Sequence, residues 1–135
     1  MKQVLLIEDN PDDVLFIQRA FRALEGQHTL QVAHDGEQAL RALSGDPMPD
    51  LVLLDLKLPR LSGLEVLGWL RAQPTLALLP VVVLTASNEP QDVREAYRMG
   101  ANSYLAKPVR PSSLRDMVAA LGLYWLQFNI TPPGR

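Results

Sequence analysis

Five side chains able to do chemistry each stand at the end of a short apolar run. Glu8 and Asp9 follow Val4 to Ile7, Asp55 follows Leu51 to Leu54, Thr85 follows Val81 to Leu84, and Lys107 follows Ser103 to Ala106. Three carboxylates gathered in one cleft repel each other. At about 4 Å and an effective dielectric near 20, each like-charge pair costs about 4 kcal/mol. A divalent cation removes that cost. An all-oxygen donor set with room for water suits Mg²⁺, with Mn²⁺ as its substitute, better than zinc, which favours nitrogen and sulfur. His28 ends no such run, and His34 follows only the weaker run Leu30 to Ala33. Direct ligation is expected from Asp9 and Asp55, a direct or water-mediated role from Glu8, and a further ligand from the backbone carbonyl of Lys57. A metal-bound carboxylate is also a nucleophile, and attack on phosphorus gives an aspartyl phosphate. The Lys107 ammonium would neutralise phosphoryl oxygens, and the Thr85 hydroxyl and nearby backbone N–H groups would donate hydrogen bonds to them.

The elements that must position these groups are legible in the chain. Val4 to Ile7, Leu51 to Leu54 and Val81 to Leu84 are continuous apolar runs, as in strands buried on both faces of a parallel sheet. Leu30 to Ala33 and Ser103 to Ala106 are weaker strand candidates. Asn10-Pro11 reads as an N-cap and first-turn proline, with Asp12 and Asp13 as ordinary first-turn acids and Val14, Ile17, Phe21 and Leu24 on one face. Asp35 with Gln38, and Ser62 with Glu65, have capping-box spacing. Pro90 opens a fourth helix that Gly100 closes, and Pro111 opens a fifth carrying Leu114, Met117, Val118 and Leu121. Strand and helix alternate about five times, so a parallel sheet with helices on both faces is expected. The flavodoxin-like doubly wound order 2-1-3-4-5 fits that count. It places the first, third, fourth and fifth strands side by side, and the candidate residues on one sheet edge.

These residues, with Pro59 and Gly63, Thr85-Ala86, and Tyr104 three before Lys107-Pro108, resemble response-regulator receiver domains over about residues 3–121. The resemblance implies that Asp55 is the phosphoacceptor and that a histidine kinase supplies the phosphoryl group. It implies a switch, with Thr85 drawn inward and Tyr104 rotating to remodel the face of the fourth helix, fifth strand and fifth helix. It also implies a cis bond at Lys107-Pro108, and an influence of Lys57 and Ser87 on dephosphorylation. The first acid of the pair is Glu8, where two aspartates are commoner in the family.

Residues 1–121 are read as the receiver domain and 122–135 as an aromatic, proline-rich C-terminal extension. Its Trp-containing apolar stretch resembles that of single-domain regulators associated with bacterial phytochromes, which implies a light-sensing kinase as donor. The stretch either folds back or completes a homodimer interface, for which Tyr97, Tyr104, Leu123, Tyr124, Trp125 and Phe128 are candidates. His28 and His34 are read as surface or turn residues, and Trp69 as a residue that fills space in the core. The net charge of −2 leaves no basic surplus for nucleic acid. No apolar run is long enough for a membrane span, and the cysteine-free chain fits a reducing cytoplasm. Three other functions compete. A phosphohydrolase of the haloacid-dehalogenase type needs an acid two residues after its nucleophile, where Lys57 stands. A flavodoxin-like electron carrier needs a phosphate-binding loop, where Glu8-Asp9 would repel the phosphate. A degenerate receiver acting only as a binding module would not need the complete acidic, Thr and Lys set.

Overall fold

Apolar runs and capped helices alternate in the order β1 (Lys2–Ile7), α1 (Pro11–Arg22), β2 (His28–Ala33), α2 (Gly36–Ser44), β3 (Leu51–Leu54), α3 (Gly63–Ala72), β4 (Val81–Thr85), α4 (Pro90–Arg98), β5 (Ser103–Ala106) and α5 (Pro111–Gly122). A 3-10 turn, Pro74–Leu76, leads out of α3, and a π-helical segment, Leu123–Phe128, continues α5. The chain is seen in a computed structural model that describes residues 1–24, 26 and 28–133. Residues 134 and 135 of the expected extension lie outside the described residues.

All strand pairings are parallel and run in the order β2-β1-β3-β4-β5, the flavodoxin-like doubly wound arrangement. Register follows burial. Val4 lies opposite Leu30 on one side and Leu51 on the other, and Val52 lies opposite Val81. Alternate residues of β1 serve opposite faces. Val4 and Leu6 join Ile17, Phe21, Leu114 and Val118 of α1 and α5, whereas Leu5 and Ile7 join Leu43, Leu67 and Leu70 of α2 and α3. Each fully buried aliphatic side chain contributes about 1.5–3 kcal/mol, so the central strands are fixed in register by their side chains. The edge strand β2 differs, with Thr29 and Gln31 exposed between half-buried neighbours.

Helix starts match their expected chemistry. Asn10 Oδ1 accepts from the backbone N–H of Asp12 (2.9 Å) and Asp13 (3.2 Å). Ser62 and Glu65 form a reciprocal capping box, at 3.2 Å and 3.1 Å. Asp35 accepts from the Gln38 N–H at 2.8 Å, but the Gln38 side chain turns to the His34 N–H instead of completing the box. Pro11, Pro90 and Pro111 each open a helix. Gly100, at φ +108°, ends the fourth.

Three expectations are corrected. The cis peptide bond among the described residues is Asp46–Pro47, not Lys107–Pro108. Lys107 reaches the pocket from its position one residue beyond β5, so the isomer expected to aim it is not required. His28 is not a turn residue: it opens β2, its Nε2 lies 2.7 Å from the Phe21 carbonyl, and its ring meets Phe21 edge-on. Asp13 is not an ordinary first-turn acid, as its contacts below show. Sequence reading also missed Arg71, whose guanidinium donates to the carbonyls of Leu76, Ala77, Leu79 and Gly100 and to Asn102 Oδ1, tying α3 to the turn that precedes β5.

Candidate functional site

The sheet ladder delivers the chemistry-bearing residues to one edge. Glu8, Asp55 and Lys107 each lie one residue past a strand end, held by a ladder-like backbone bond: Glu8 N–H to Ala33 O (3.0 Å), Asp55 N–H to Ile7 O (3.0 Å) and Lys107 N–H to Thr85 O (2.7 Å); Asp9 follows Glu8, two residues past β1. Thr85 is the last residue of β4. The strand order therefore closes Glu8, Asp9, Asp55, Thr85 and Lys107 into one pocket, as expected.

Asp55 sits at its centre, buried. Its Oδ1 accepts from the Thr85 hydroxyl at 2.7 Å and from the Lys57 backbone N–H at 3.1 Å, and its Oδ2 accepts from Lys107 Nζ at 3.0 Å. These donors outweigh burial and hold the Asp55 carboxyl below its ordinary value. The backbone beneath it depends on Gly63. A Cβ there would lie 2.3 Å from the Asp55 carbonyl oxygen and 2.6 Å from Leu56 Cα, while the Gly63 N–H donates to Leu56 O at 2.9 Å.

Glu8 is fully buried beside it. Burial pushes its carboxyl up to about 7, against the lowering pull of Lys107 and with a further raising push from Asp55. Its Oε1 lies 2.5 Å from Lys107 Nζ, and its Oε2 accepts from the Asn10 N–H at 3.2 Å. Asp9 is exposed at the mouth. One oxygen from each of Glu8, Asp9 and Asp55 lies within 4.8 Å of the others, an all-oxygen set that fits a hard divalent cation. Lys107 is raised above its ordinary value because its carboxylate partners outweigh its burial. Those partners include Asp13 Oδ2, at 2.9 Å. In the fold Asp13 stands one turn before buried Ile17, on the inward side of α1, whereas Asp12 stands one turn before half-exposed Phe16.

The remaining expected residues occupy the rim. Lys57, Ala86, Ser87, Asn88 and Glu89 line a recess of about 290 Å³ formed by the residues that follow Asp55 and Thr85. The residue two after Asp55 is Lys57, its side chain exposed, where a haloacid-dehalogenase mechanism would need an acid. Tyr104 is half-buried and its hydroxyl donates to the Ser87 carbonyl at 2.8 Å; Ser87 Oγ in turn contacts Asp92. Thr85 is thus already turned onto Asp55, while Tyr104 is held by the loop that leads into α4.

The aromatic tail does two things. Trp125 and Leu126 rest against the core on the α1 and α5 side. Leu123, Tyr124, Phe128 and Ile130 stay exposed, the last two at 69% and 91%, and Tyr97 of α4 is exposed as well.

The response regulator receiver domain family matches residues 4–119 of this chain. A probable methanogenesis regulatory protein, FilR2, of Methanothrix harundinacea is 40% identical over 134 residues, covering 96% of this chain and 86% of its own length. Among solved structures, the Mn²⁺-bound form of response regulator Rcp1, a Synechocystis protein, superposes with a TM-score of 0.92 at 36% identity, covering 98% of this chain and 99% of that one. The phosphorylated cyanobacterial phytochrome response regulator RcpA superposes with a TM-score of 0.93 at 34% identity, covering 97% and 98%.

Proposed function

We propose that this chain, which belongs to the response regulator receiver domain family, accepts a phosphoryl group on Asp55 and acts as a signalling switch, not as an enzyme that turns over a substrate. One observation carries the reading: buried Asp55 lies between the Thr85 hydroxyl and the Lys107 ammonium, with Glu8 and Asp9 oxygens within 4.8 Å. Mg²⁺, or Mn²⁺ in its place, would be held by Asp9, Asp55, Glu8 and the Lys57 carbonyl, and would supply positive charge to the carboxylates and to the phosphoryl oxygens.

The chain's own groups do the rest. The Asp55 carboxylate, kept ionised by its donors, attacks phosphorus. A phosphorus–oxygen bond forms as the phosphorus–nitrogen bond of a kinase phosphohistidine breaks, and the electron pair leaves with the imidazole. Lys107 meets the developing charge, and Thr85 and the Ala86 N–H donate to the new phosphoryl oxygens. Small phosphodonors such as acetyl phosphate can serve in the kinase's place, and water later hydrolyses the acyl phosphate. Lys57 and Ser87, on the rim recess, tune that lifetime. The Thr85 hydroxyl already points at Asp55, and Tyr104, packed against Leu56, Val83 and Ala96, already bonds the Ser87 carbonyl. The phosphoryl group would hold Thr85 and Tyr104 in this inward arrangement, and its loss would release Tyr104 and remodel the α4, β5 and α5 face.

The donor is a histidine kinase, and similarity to a phytochrome response regulator makes a bacterial phytochrome the kinase we infer. Residues 1–121 serve as the receiver and 122–135 as an extension. Exposed Tyr97, Leu123, Tyr124 and Phe128, with Tyr104 and Trp125, supply apolar surface for a homodimer built on α4, β5, α5 and the tail. No helix among the described residues is long and apolar enough to cross a membrane. We place the protein in the cytoplasm, where its kinase domain would meet it, and assign it no nucleic-acid partner. Incubation with acetyl phosphate tests the reading: wild type gains an acid-stable, base-labile adduct with Mg²⁺ but not with chelator, and Asp55→Asn gains none. Equal labelling of both proteins would overturn it.

A further inference from the structure

Lys107 Nζ touches three carboxylates, at 2.5 Å (Glu8), 2.9 Å (Asp13) and 3.0 Å (Asp55). Two of them have other duties in the proposed mechanism. Glu8 belongs to the cation-binding trio, and Asp55 becomes an acyl phosphate and loses its carboxylate charge. Asp13 belongs to neither the trio nor the reacting atoms. It is also rigidly placed. Its backbone N–H is capped by Asn10 Oδ1, and the next residues inward on α1, Val14 and Ile17, are buried in the core.

We propose, resting on Asp55 as the phosphoacceptor, that Asp13 is a positioning residue for phosphoryl transfer: it anchors the Lys107 ammonium on the α1 side of the pocket in both the free and the phosphorylated state. Lysine has a long flexible stem, and fixing its charge costs conformational entropy. An ammonium already docked on Asp13 meets the phosphoryl oxygens without that cost at the moment of transfer. The step served is balanced as follows for acetyl phosphate. The bond from Asp55 oxygen to phosphorus forms, the bond from phosphorus to the acetate oxygen breaks, and acetate leaves with the electron pair. Asp13 touches none of these atoms and acts only through Lys107. The neighbouring Asp12 supplies the control, because it has the same charge and the same helix turn but is exposed and makes no contact with Lys107.

The test compares labelling rates with acetyl phosphate at saturating Mg²⁺ for wild type, Asp13→Asn, Asp12→Asn and each change in a Lys107→Ala background. Asp13→Asn is expected to slow labelling about tenfold, the size of one lost charge-assisted contact in the transition state. Its Mg²⁺ affinity should match that of Asp12→Asn, which labels as wild type does, while its unfolding midpoint falls with the lost contact to Lys107. Asp13→Ser, which keeps a polar residue in the first turn, should behave as Asp13→Asn does. In the Lys107→Ala background Asp13→Asn should cause no further loss. Equal rates for Asp13→Asn and Asp12→Asn, or a further loss without Lys107, would overturn the anchoring role while leaving Asp55 as acceptor. Failure of wild type itself to label would overturn both.

Discussion

At the scale of single residues, Glu8 is the acid of the proposed cation site whose protonation the fold alters most. Burial lifts its carboxyl to about 7, from an ordinary 4.5 in an unfolded chain. Between those values the folded protein holds a proton that the unfolded chain has released. Stability from this group is therefore present below about 4.5 and lost as pH rises through about 7. Asp55 moves the other way and stays ionised across that window. If Glu8 ligates the cation as proposed, binding displaces its proton, so Mg²⁺ affinity should rise with pH by up to about tenfold per unit below 7 and level off above it. Titration calorimetry at a series of pH values measures this, and Glu8→Gln should flatten the profile. The metal-free unfolding midpoint should fall over the same range. Most of the site was legible at this scale, because acids, a hydroxyl and a lysine stood at the ends of apolar runs. Asp13 was not, because its first-turn position on a helix has a sufficient local explanation, and only the approach of β5 brings Lys107 to it.

At the scale of elements, the pocket depends on how closely α3 begins against the end of β3. Gly63 lets the helix start lie on the Asp55 and Leu56 backbone. Gly63→Ala should cost about 2–3 kcal/mol through overpacking and slow labelling of Asp55 by displacing its backbone. Gly45→Ala, whose nearest neighbour would be 3.6 Å away, should do neither, and chemical denaturation of both variants checks this. The strands β1, β3 and β4 were legible because burial on both faces leaves continuous aliphatic runs at Val4 to Ile7, Leu51 to Leu54 and Val81 to Leu84. β2 was harder. As an edge strand it exposes Thr29 and Gln31, and its first residue, His28, carries no strand signature. Arg71 was illegible, since an arginine in the last turn of a helix reads as a solvated charge. Its five carbonyl and amide acceptors come from segments that only the fold brings together.

At the scale of the whole molecule, the sheet order converts five separated positions into one pocket, and the tail converts a closed domain into one with exposed aromatic surface. The order was legible from the count of strand–helix units, which fits the five-stranded flavodoxin-like pattern. The tail was legible only as apolar sequence, because its residues divide between the core and the surface: Trp125 faces inward while Phe128 faces out. Combined Tyr124→Glu and Phe128→Glu changes should convert a dimer to a monomer in light scattering without lowering the unfolding midpoint, since both side chains are exposed. A wild type that is itself monomeric at all concentrations and phosphorylation states would remove the proposed interface.

The most direct measurement traps the acyl phosphate. After reaction with acetyl phosphate and Mg²⁺, borohydride reduction converts a phosphorylated aspartate to homoserine, which peptide mass mapping locates. The mechanism predicts homoserine at position 55 alone, dependent on the metal and lost in Thr85→Ala, Lys107→Ala double variants. Homoserine at position 9, or labelling at 55 that proceeds equally well in chelator, would contradict it.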